Sequence, residues 1–383
     1  MEILQVTPYF KPHIGGVESH VFELSRMLVT RGHKVTVLTT QLKNTEPEEV
    51  IAGIHVVREK PSATLFSTPV NRSFRKSVLR FEADLVHAHT PPPVSAYYAS
   101  LACRKRGLPF ILTYHCDPIL SGALGRALLR IYNRTWGLAT LKNTNLLILT
   151  SKSYDATSRL TWRFDTVTIP NAVDTSLFTP DKDGSRFRER FNIAPDETLV
   201  LFVGRLVPHK GIRYLLQAAS LIKNRKIKFL IAGEGPLLTA LKKETARRGL
   251  PDRVKFSGRV AHEDLPFCYA SCDIFVLPST SRLEAFGIAT LEAMSSGKPV
   301  IVSDIPGVRE TIQNGDQGLL VNAFSPEDIA EKILYLHENP PERKRMGASA
   351  RRTVEEKYSW QKVITQIETA YKEMMTRRAI TKN

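Results

Sequence analysis

The sequence predicts an α/β protein built from two doubly wound domains, each around a parallel sheet. The chain has 383 residues, which is more than one hydrophobic core usually fills. Short apolar runs followed by glycine-containing loops and amphipathic helices begin near residue 3 and start again at residue 199. Ligands of such sheets bind beyond the carboxyl ends of the strands, so the loops that follow the strands are the candidate functional regions.

The first strand–helix unit opens the chain. Residues 3–7 predict a strand, 17–31 a helix with one apolar face, and 35–38 a second strand. The loop between the first strand and the helix ends in Gly15-Gly16, which is not a G-x-G-x-x-G fingerprint, so no nicotinamide cofactor is predicted. The glycine pair is compatible with a plain tight turn or with a ligand contact.

Later strands of the first half follow the same pattern. They are predicted at residues 54–57, 85–88, 110–114, 146–150 and 167–169. The strand at 110–114 ends at His115, which places this histidine at the rim of the expected ligand crevice. A lone histidine in such a loop is more often an ordinary polar residue.

Two segments are basic and apolar together. Residues 66–81 contain Arg72, Arg75, Lys76 and Arg80 among large apolar residues, and residues 119–141 contain arginines at intervals of four beside leucines and Trp136. Such segments either lie in an anionic membrane interface or use the apolar face for the protein core and the cations for solvent. The pattern alone leaves both interpretations open.

The second half begins after a break at residues 170–174. A polar linker with one short helix is predicted over 179–197, and the D-x-D triplet at 181–183 lies in this linker without a preceding strand, so no metal role is expected for it. The next strand, 199–203, leads into a glycine-bounded loop with Arg205 and Lys210. The guanidinium group of an arginine can donate two parallel hydrogen bonds, and a lysine adds a compact positive charge. The two residues at a strand's carboxyl end therefore suit a diphosphate.

The chain is organised around residues 284–301. A buried strand at 274–277 precedes them, and Gly287 stands where a helix would begin, so that the free amides of the first turn form an anion site. Glu284 precedes this helix and Glu292 lies about two turns into it. A diphosphate on the amides, with a hydroxyl-rich group at each end, fits this layout.

These residues resemble the E-x-F-G-x-x-x-x-E-A-M-x-x-G-x-P-V-I signature of retaining glycosyltransferases, family 4 (glycosyl transferases group 1), and the joint at 170–174 resembles the family's I-P-N-G-V-D. The resemblance implies the GT-B fold, with two Rossmann-like doubly wound domains facing a central cleft. The expected domains are residues 1–172 on the acceptor side and 173–357 for the nucleotide sugar. A helix over 358–383 is expected to pack back on the first domain.

The resemblance also implies site residues. Catalytic roles fall to His115, Arg205, Lys210 and Glu284, with the histidine and Glu284 at the transferred sugar and the two cations at the leaving diphosphate. Glu292 is expected to bind the ribose hydroxyls. Donor binding as a whole is assigned to Gly16, Arg205, Lys210, Arg259, Val260, Glu284, Phe286, Gly287, Ile288, Ala289 and Glu292.

The activity implied is transfer of a hexose-type sugar from a UDP- or GDP-linked donor to a glycan or lipid-linked acceptor, with retention and without metal or cofactor. Residues 15–20 and 31–35 resemble the branch that adds N-acetylglucosamine to phosphatidylinositol, which suggests a lipid-like acceptor. Two alternatives remain open. One is a nucleotide-sugar epimerase of the same fold, and the other is a non-catalytic basic protein that binds membrane or nucleic acid.

Composition limits these alternatives. The net charge of +16 attracts nucleotide sugars, anionic membranes and nucleic acids alike. No run of five or more basic residues occurs, so nucleic acid is not the expected partner. No apolar run reaches the roughly 18 residues that span a bilayer, and the chain opens directly on a strand, so a cytoplasmic protein is expected, with contact at the cytoplasmic face of the membrane as an option.

Overall fold

The computed structural model of the chain describes residues 1–13, 15–65, 68–118, 122–158 and 160–382. It contains two compact units. Unit 1 comprises Met1–Asn171 together with Trp360–Asn383, and unit 2 comprises Ala172–Ser359. The sequence predicted boundaries after residues 172 and 357, and the structure has them after residues 171 and 359.

The described residues of unit 1 form ten strands, which are β1 (Glu2–Val6), β2 (Lys34–Thr40), β3 (Glu48–Ile51), β4 (Ile54–Glu59), β5 (Ala63–Leu65), β6 (Thr68–Val70), β7 (Leu85–Thr90), β8 (Phe110–Tyr114), β9 (Leu146–Leu149) and β10 (Thr166–Thr168). Its helices before the domain boundary are α1 (Gly16–Thr30), α2 (Phe74–Arg80), α3 (Val94–Arg106), α4 (Gly122–Tyr132), α5 (Leu138–Lys142) and α6 (Lys152–Asp155). A π-helical stretch, Asn133–Gly137, joins α4 to α5, and a 3-10 turn spans Thr161–Arg163.

The main sheet of unit 1 has the order β10-β9-β8-β7-β1-β2-β4-β3, and only the β3–β4 pair is antiparallel. Every residue of β7 and β8 is buried, as expected for central strands of a parallel sheet covered on both faces. Helix α1 packs on this sheet through an apolar face that includes Val21, Leu24 and Leu28. The carboxyl ends of β8, β7 and β1 therefore lie side by side.

Unit 2 contains α7 (Ser185–Arg190), β11 (Thr198–Val203), α8 (Ile212–Leu221), β12 (Ile227–Ala232), α9 (Leu238–Arg247), β13 (Val254–Gly258), α10 (Leu265–Ser271), β14 (Ile274–Leu277), α11 (Ile288–Ser295), β15 (Val300–Ser303), β16 (Gly318–Val321), α12 (Pro326–Glu338) and α13 (Pro340–Thr353). Short 3-10 turns span Pro208–Lys210 and Val308–Thr311, and a π-helical stretch spans Val354–Tyr358. Its sheet is parallel throughout, in the order β13-β12-β11-β14-β15-β16. The strand order reverses between β11 and β14, which is where doubly wound sheets bind ligands.

The last helix, α14 (Trp360–Lys382), belongs to unit 1. The apolar stripe predicted along it is buried, and its members are Trp360, Val363, Ile364, Ile367, Tyr371 and Met374. Polar contacts add to this packing, since His33 Nε2 lies 2.8 Å from Glu368 Oε1. In the part of the chain that the structure describes, no helix is both long enough and apolar enough to traverse a bilayer.

The first basic apolar segment, residues 66–81, is divided between β6 and α2. Phe74 and Val78 of α2 are completely buried, so the described apolar residues of this segment serve the core. Phe66 lies outside the described residues. Gly307 precedes the 3-10 turn Val308–Thr311 and has φ of 92°, and a Cβ there would lie 2.0 Å from the carbonyl oxygen of Ala285. The glycine serves a close backbone contact.

A second close contact joins the loops that follow β11 and β14. Gly211 has φ of 69°, and a Cβ at this position would lie 1.8 Å from the carbonyl oxygen of Pro278. The amide of Thr280 donates to the carbonyl oxygen of His209 at 2.8 Å. The two loops are therefore held together backbone to backbone, and a side chain cannot be placed between them.

This contact predicts a difference between two glycines of the same conformation. Gly249 has φ of 67°, but a Cβ there would meet no atom within 4 Å. Gly249→Ala should lower the free energy of unfolding by about 1 to 2 kcal/mol, which is the cost of a left-handed backbone conformation at a residue other than glycine. Gly211→Ala should cost about 1 to 3 kcal/mol more, because its methyl group must push the loops apart. Urea denaturation of the two variants measures this, and equal losses would contradict the close contact.

Candidate active site

The loops after β11 and β14 bring two predicted site residues together. Lys210 Nζ forms an ion pair with Glu284 Oε2, and Ser279 Oγ donates to the same oxygen at 3.3 Å. The side chains of Lys210 and Glu284 are only 16% and 11% exposed, so salt screens this pair weakly. Ser279 is a member of the site that the sequence motifs did not indicate.

Gly287 begins the next element of the site. It has φ of 80° and caps α11, and a Cβ there would lie 2.8 Å from Leu277 Cδ2. Helix geometry leaves the amides of the first turn without intrahelical acceptors, and Ile288 and Ala289 in this turn are partly exposed. The positive end of the helix dipole adds to their attraction for an anion.

Phe286 has a structural role in the same loop. Its side chain is 4% exposed and packs edge-on against Tyr358, with 5.9 Å between ring centroids. The ring therefore fixes the loop on the core of unit 2. A donor contact at this predicted position would have to use the backbone.

Glu292 lies further along α11 and has an unusual protonation state. Burial of its carboxyl group raises the pKa to about 7, against smaller opposite effects of the hydrogen bond from Tyr269 and the charge of Lys210. Tyr269 Oη donates to Glu292 Oε2 at 2.6 Å. Tyr269 comes from α10, outside every motif, so no sequence signal linked it to this carboxylate.

Arg205 differs from Lys210 in its surroundings. Its guanidinium is exposed and has no ion-pair or hydrogen-bond partner among the described residues. Burial lowers the pKa of His209, and the charges of Lys210 and Arg205 act in the same direction, which places both cations around this histidine. The hydrogen-bond donors of the Arg205 guanidinium are therefore available to a ligand beside the Lys210–Glu284 pair.

Arg259 and Val260 follow β13, the outermost strand on one side of the sheet, where Arg259 is exposed and Val260 partly exposed. The acidic linker residues Asp181 and Asp183 have partners close by in the chain. Asp181 accepts from Thr179, and Asp183 accepts from the amide and hydroxyl of Ser185, so both carboxylates are engaged within their own loop.

The remaining predicted residues lie in unit 1. Gly16 is the exposed first residue of α1, with open space where a Cβ would be. His115 follows β8, is 7% exposed, and its backbone amide donates to the carbonyl oxygen of Thr90 at 2.8 Å. Burial lowers its pKa well below the usual range, with neighbouring histidines acting in the same direction, so the ring is neutral at pH 7.

Two buried histidines that sequence reasoning missed surround His115. His89 Nδ1 lies 3.3 Å from His115 Nε2, and the ring of His20 lies edge-on at 5.1 Å between centroids. His89 comes from β7 and His20 from α1. The order of the sheet brings them together, and no spacing in the sequence indicates it.

Family comparisons cover both halves of the chain. Residues 14–177 match the family model described as Glycosyltransferase Family 4. Residues 183–353 match the model described as Glycosyl transferases group 1. The second match contains the Lys210–Glu284 pair and all of α11.

Several characterised proteins are similar over most of the chain. The GDP-mannose-dependent alpha-(1-6)-phosphatidylinositol monomannoside mannosyltransferase of Mycobacterium tuberculosis is 29% identical over 94% of both chains. A D-rhamnosyltransferase of Pseudomonas aeruginosa is 31% identical, over 89% of this chain and 88% of its own. One subunit of the human phosphatidylinositol N-acetylglucosaminyltransferase, from the branch that residues 15–20 indicated, is 30% identical over 81% of this chain and 63% of its own.

A solved structure supports the fold. Sucrose-phosphate synthase from Thermosynechococcus elongatus superposes with a TM-score of 0.82 over 98% of this chain and 99% of its own, at 23% identity. The two Rossmann-like units of the prediction are confirmed by this likeness.

The state of Glu292 makes a testable contribution to stability. Its pKa is about 7 in the folded chain against 4.5 for an isolated glutamate side chain, so its contribution is complete below about pH 4.5 and is lost as pH rises through 7. Between about pH 5 and pH 8, the free energy of unfolding of Glu292→Gln should rise by about 2 to 3 kcal/mol relative to that of the wild type. Urea denaturation at both pH values measures the difference. The exposed Glu263→Gln is the matched control, and parallel profiles for wild type and Glu292→Gln would contradict the assignment.

Proposed function

Because this chain belongs to glycosyltransferase family 4, with the glycosyl transferases group 1 domain in its second half and the GT-B fold, we propose that it moves a hexose-type sugar with retention of configuration. The donor is a UDP- or GDP-linked sugar and the acceptor a glycan or a lipid-linked molecule. Sugar transfer from nucleotide sugars is the shared activity of this family, and the remaining specificity is our inference.

The observation that supports this function best is the position of the Lys210–Glu284 pair. It lies where the strand order reverses, beside the amino-terminal turn of α11. A cation and a row of amides suit a diphosphate, and a carboxylate at their side suits the hydroxyl groups of a sugar. One donor molecule carries both chemical groups.

Catalysis in this proposal is electrostatic. When the bond between the anomeric carbon and the diphosphate breaks, negative charge develops on the departing phosphate oxygen. Lys210, Arg205 and the amides of α11 stabilise that charge through groups already held in place, so no metal ion is required. Glu284 and His115 contact the transferred sugar, and Glu292 binds the ribose.

The relatives support the choice of donor and acceptor class. The mycobacterial relative is named as GDP-mannose-dependent and acts on a phosphatidylinositol mannoside, and the human relative is named for phosphatidylinositol. We therefore extend the proposal to a GDP- or UDP-sugar donor and a phosphatidylinositol-type lipid acceptor. A protein that uses such a lipid works at a membrane surface, here the cytoplasmic face.

Helix α4 supports contact with that surface. Leu124 and Ile131 are 71% and 60% exposed, although both are large apolar residues on one side of the helix. Arg126 and Arg130 of α4 and Arg134 of the π-helical stretch that follows are also exposed, at intervals of four residues, and the two arginines of α4 lie about 100° to 160° around the helix from the apolar side. An exposed apolar stripe on a helix whose polar side carries arginines fits the interface of an anionic bilayer. Of the segment 119–141, residues 119–121 lie outside the described residues.

The donor site predicts nucleotide binding that does not depend on metal. A thermal-shift screen with UDP, GDP, ADP and their common sugars should raise the melting temperature by several degrees for one nucleotide, equally with and without EDTA. A shift that EDTA removes would contradict the metal-free site. No shift with any nucleotide would favour a non-catalytic binding protein.

The leaving-group residues predict large losses of turnover. Arg205→Ala and Lys210→Ala should each lower kcat by about 10²- to 10³-fold, which is the usual cost of one lost charge-stabilising donor. The exposed Arg225 and Lys223 provide the matched control substitutions to Ala. The rate of nucleoside diphosphate release is measured with phosphatidylinositol vesicles as acceptor. Near-normal rates in the site variants would refute the assignment, and product formation without acceptor would favour the epimerase.

If α4 contacts the membrane, its exposed leucine and isoleucine should contribute to vesicle binding. The double variant Leu124→Ser and Ile131→Ser should lose co-sedimentation with phosphatidylglycerol-containing vesicles, because these side chains no longer enter the acyl boundary. Leu221→Ser, at a 50% exposed leucine of unit 2, is the control. Equal binding of the two variants would exclude α4 as the contact.

A further inference from the structure

Three histidines of unit 1 converge on one buried point. His20 lies on α1, His89 in β7 and His115 directly after β8, and they are 6%, 0% and 7% exposed. One ring nitrogen from each residue lies within 4.8 Å of those of the other two. Among the described residues, no other group of three or more potential metal ligands has such spacing.

The distances suit a small metal ion. Two nitrogen ligands of a tetrahedral zinc, each about 2.0 to 2.1 Å from the metal, are about 3.3 to 3.4 Å apart. His89 Nδ1 and His115 Nε2 already lie 3.3 Å apart. His20 would have to move inward by about 1.5 Å at most to complete three equal contacts.

Neighbouring groups hold the rings in a suitable orientation. His89 Nε2 donates to Gln5 Oε1 at 2.9 Å, which leaves the lone pair of its Nδ1 directed at the cluster. A hydrogen bond from the outer nitrogen to an oxygen is the usual support of a metal-binding histidine. His20 Nδ1 is buried and has no hydrogen-bond partner among the described residues, and its ring lies 5.6 Å from that of Trp360. The ring of His20 can therefore turn without breaking a hydrogen bond at this nitrogen.

The histidines also have the right charge state. Burial lowers the pKa of His20 to about 4, and lowers those of His89 and His115 well below the usual range, with further contributions from the neighbouring imidazoles. All three rings are therefore neutral at pH 7, and a neutral imidazole is the form that binds metal. His87, the fourth ring, differs because both of its nitrogens are used, by Tyr371 Oη and Thr113 Oγ1.

We propose that His20, His89 and His115 form a binding site for one divalent transition-metal ion of the zinc type. Three imidazoles leave a fourth position for water, and imidazole ligands select Zn²⁺, Co²⁺ and Ni²⁺ over Mg²⁺ and Ca²⁺. All three ligands belong to unit 1. Its consequence for activity rests on the proposed function: a metal bound to His115 removes this residue from the transferred sugar, so the ion inhibits a transferase that needs no metal for catalysis.

The direct test is metal binding by the whole chain, without reference to activity. The EDTA-treated protein is titrated with Co²⁺, whose visible absorption reports four-coordinate nitrogen ligation, and Zn²⁺ is then used to displace it. We expect one Co²⁺ per chain and at least tenfold weaker binding in His20→Ala and in His115→Gln. His55→Gln, at a histidine that pairs with Glu48 elsewhere in unit 1, is the control and should bind like wild type.

X-ray absorption of the Zn²⁺-loaded wild type provides a measurement that does not depend on folding of the variants. It should show three imidazole ligands. Absence of Co²⁺ and Zn²⁺ binding, or binding that His20→Ala and His115→Gln leave unchanged, would overturn the site and leave a hydrogen-bonded histidine cluster.

Activity then tests the consequence separately. Zn²⁺ should lower the rate of sugar transfer and EDTA should restore it, with the same dependence on concentration as the binding titration. If the metal binds through the three histidines and the rate does not change, the metal site stands and the role of His115 in transfer is wrong. If nucleotides do not bind at all, the donor proposal fails while the Co²⁺ result is unaffected.

Discussion

The neighbouring position of β11 and β14 is the constraint on which the donor site depends. The crossover helices of unit 2 carry β12 and β13 to one side and β15 and β16 to the other, so the loops after β11 and β14 meet with no strand between them. The contact of Gly211 with Pro278 then fixes their separation. Lys210 stands next to this contact, and its ion pair with Glu284 follows from the order of the sheet.

The same principle organises unit 1. β8, β7 and β1 are adjacent, so polar side chains near their carboxyl ends are buried together. Buried polar atoms are costly unless they bind one another, and here Gln5, Thr113 and Tyr371 provide partners for the histidines. One arrangement of parallel strands thus yields a cluster of charged side chains in unit 2 and a cluster of neutral ones in unit 1.

Sequence reasoning reached the parts of the site that are local in the chain. Glu284, Gly287 and Lys210 lie in loops whose flanking strands and helices are readable from residue patterns, and the structure pairs two of them as an ion pair. His20, His89 and Tyr269 escaped because their contacts depend on strand order and helix packing.

The two basic apolar segments show a further limit. Phe74 and Val78 are buried, whereas Leu124 and Ile131 are exposed, although the two segments have similar composition. Whether an apolar stripe faces the core depends on how many neighbours the fold provides at that place. No property of the stripe itself contains this information.

Helix α14 has a consequence for how the chain folds during its synthesis. Unit 1 begins at the first strand, yet Trp360 and Tyr371 complete its buried interior from the other end of the chain. The ribosome delivers these residues only after all of unit 2 has emerged. All residues of the later unit are therefore synthesised before unit 1 can complete its core, and the apolar surface that α14 covers stays uncovered until that helix has been translated.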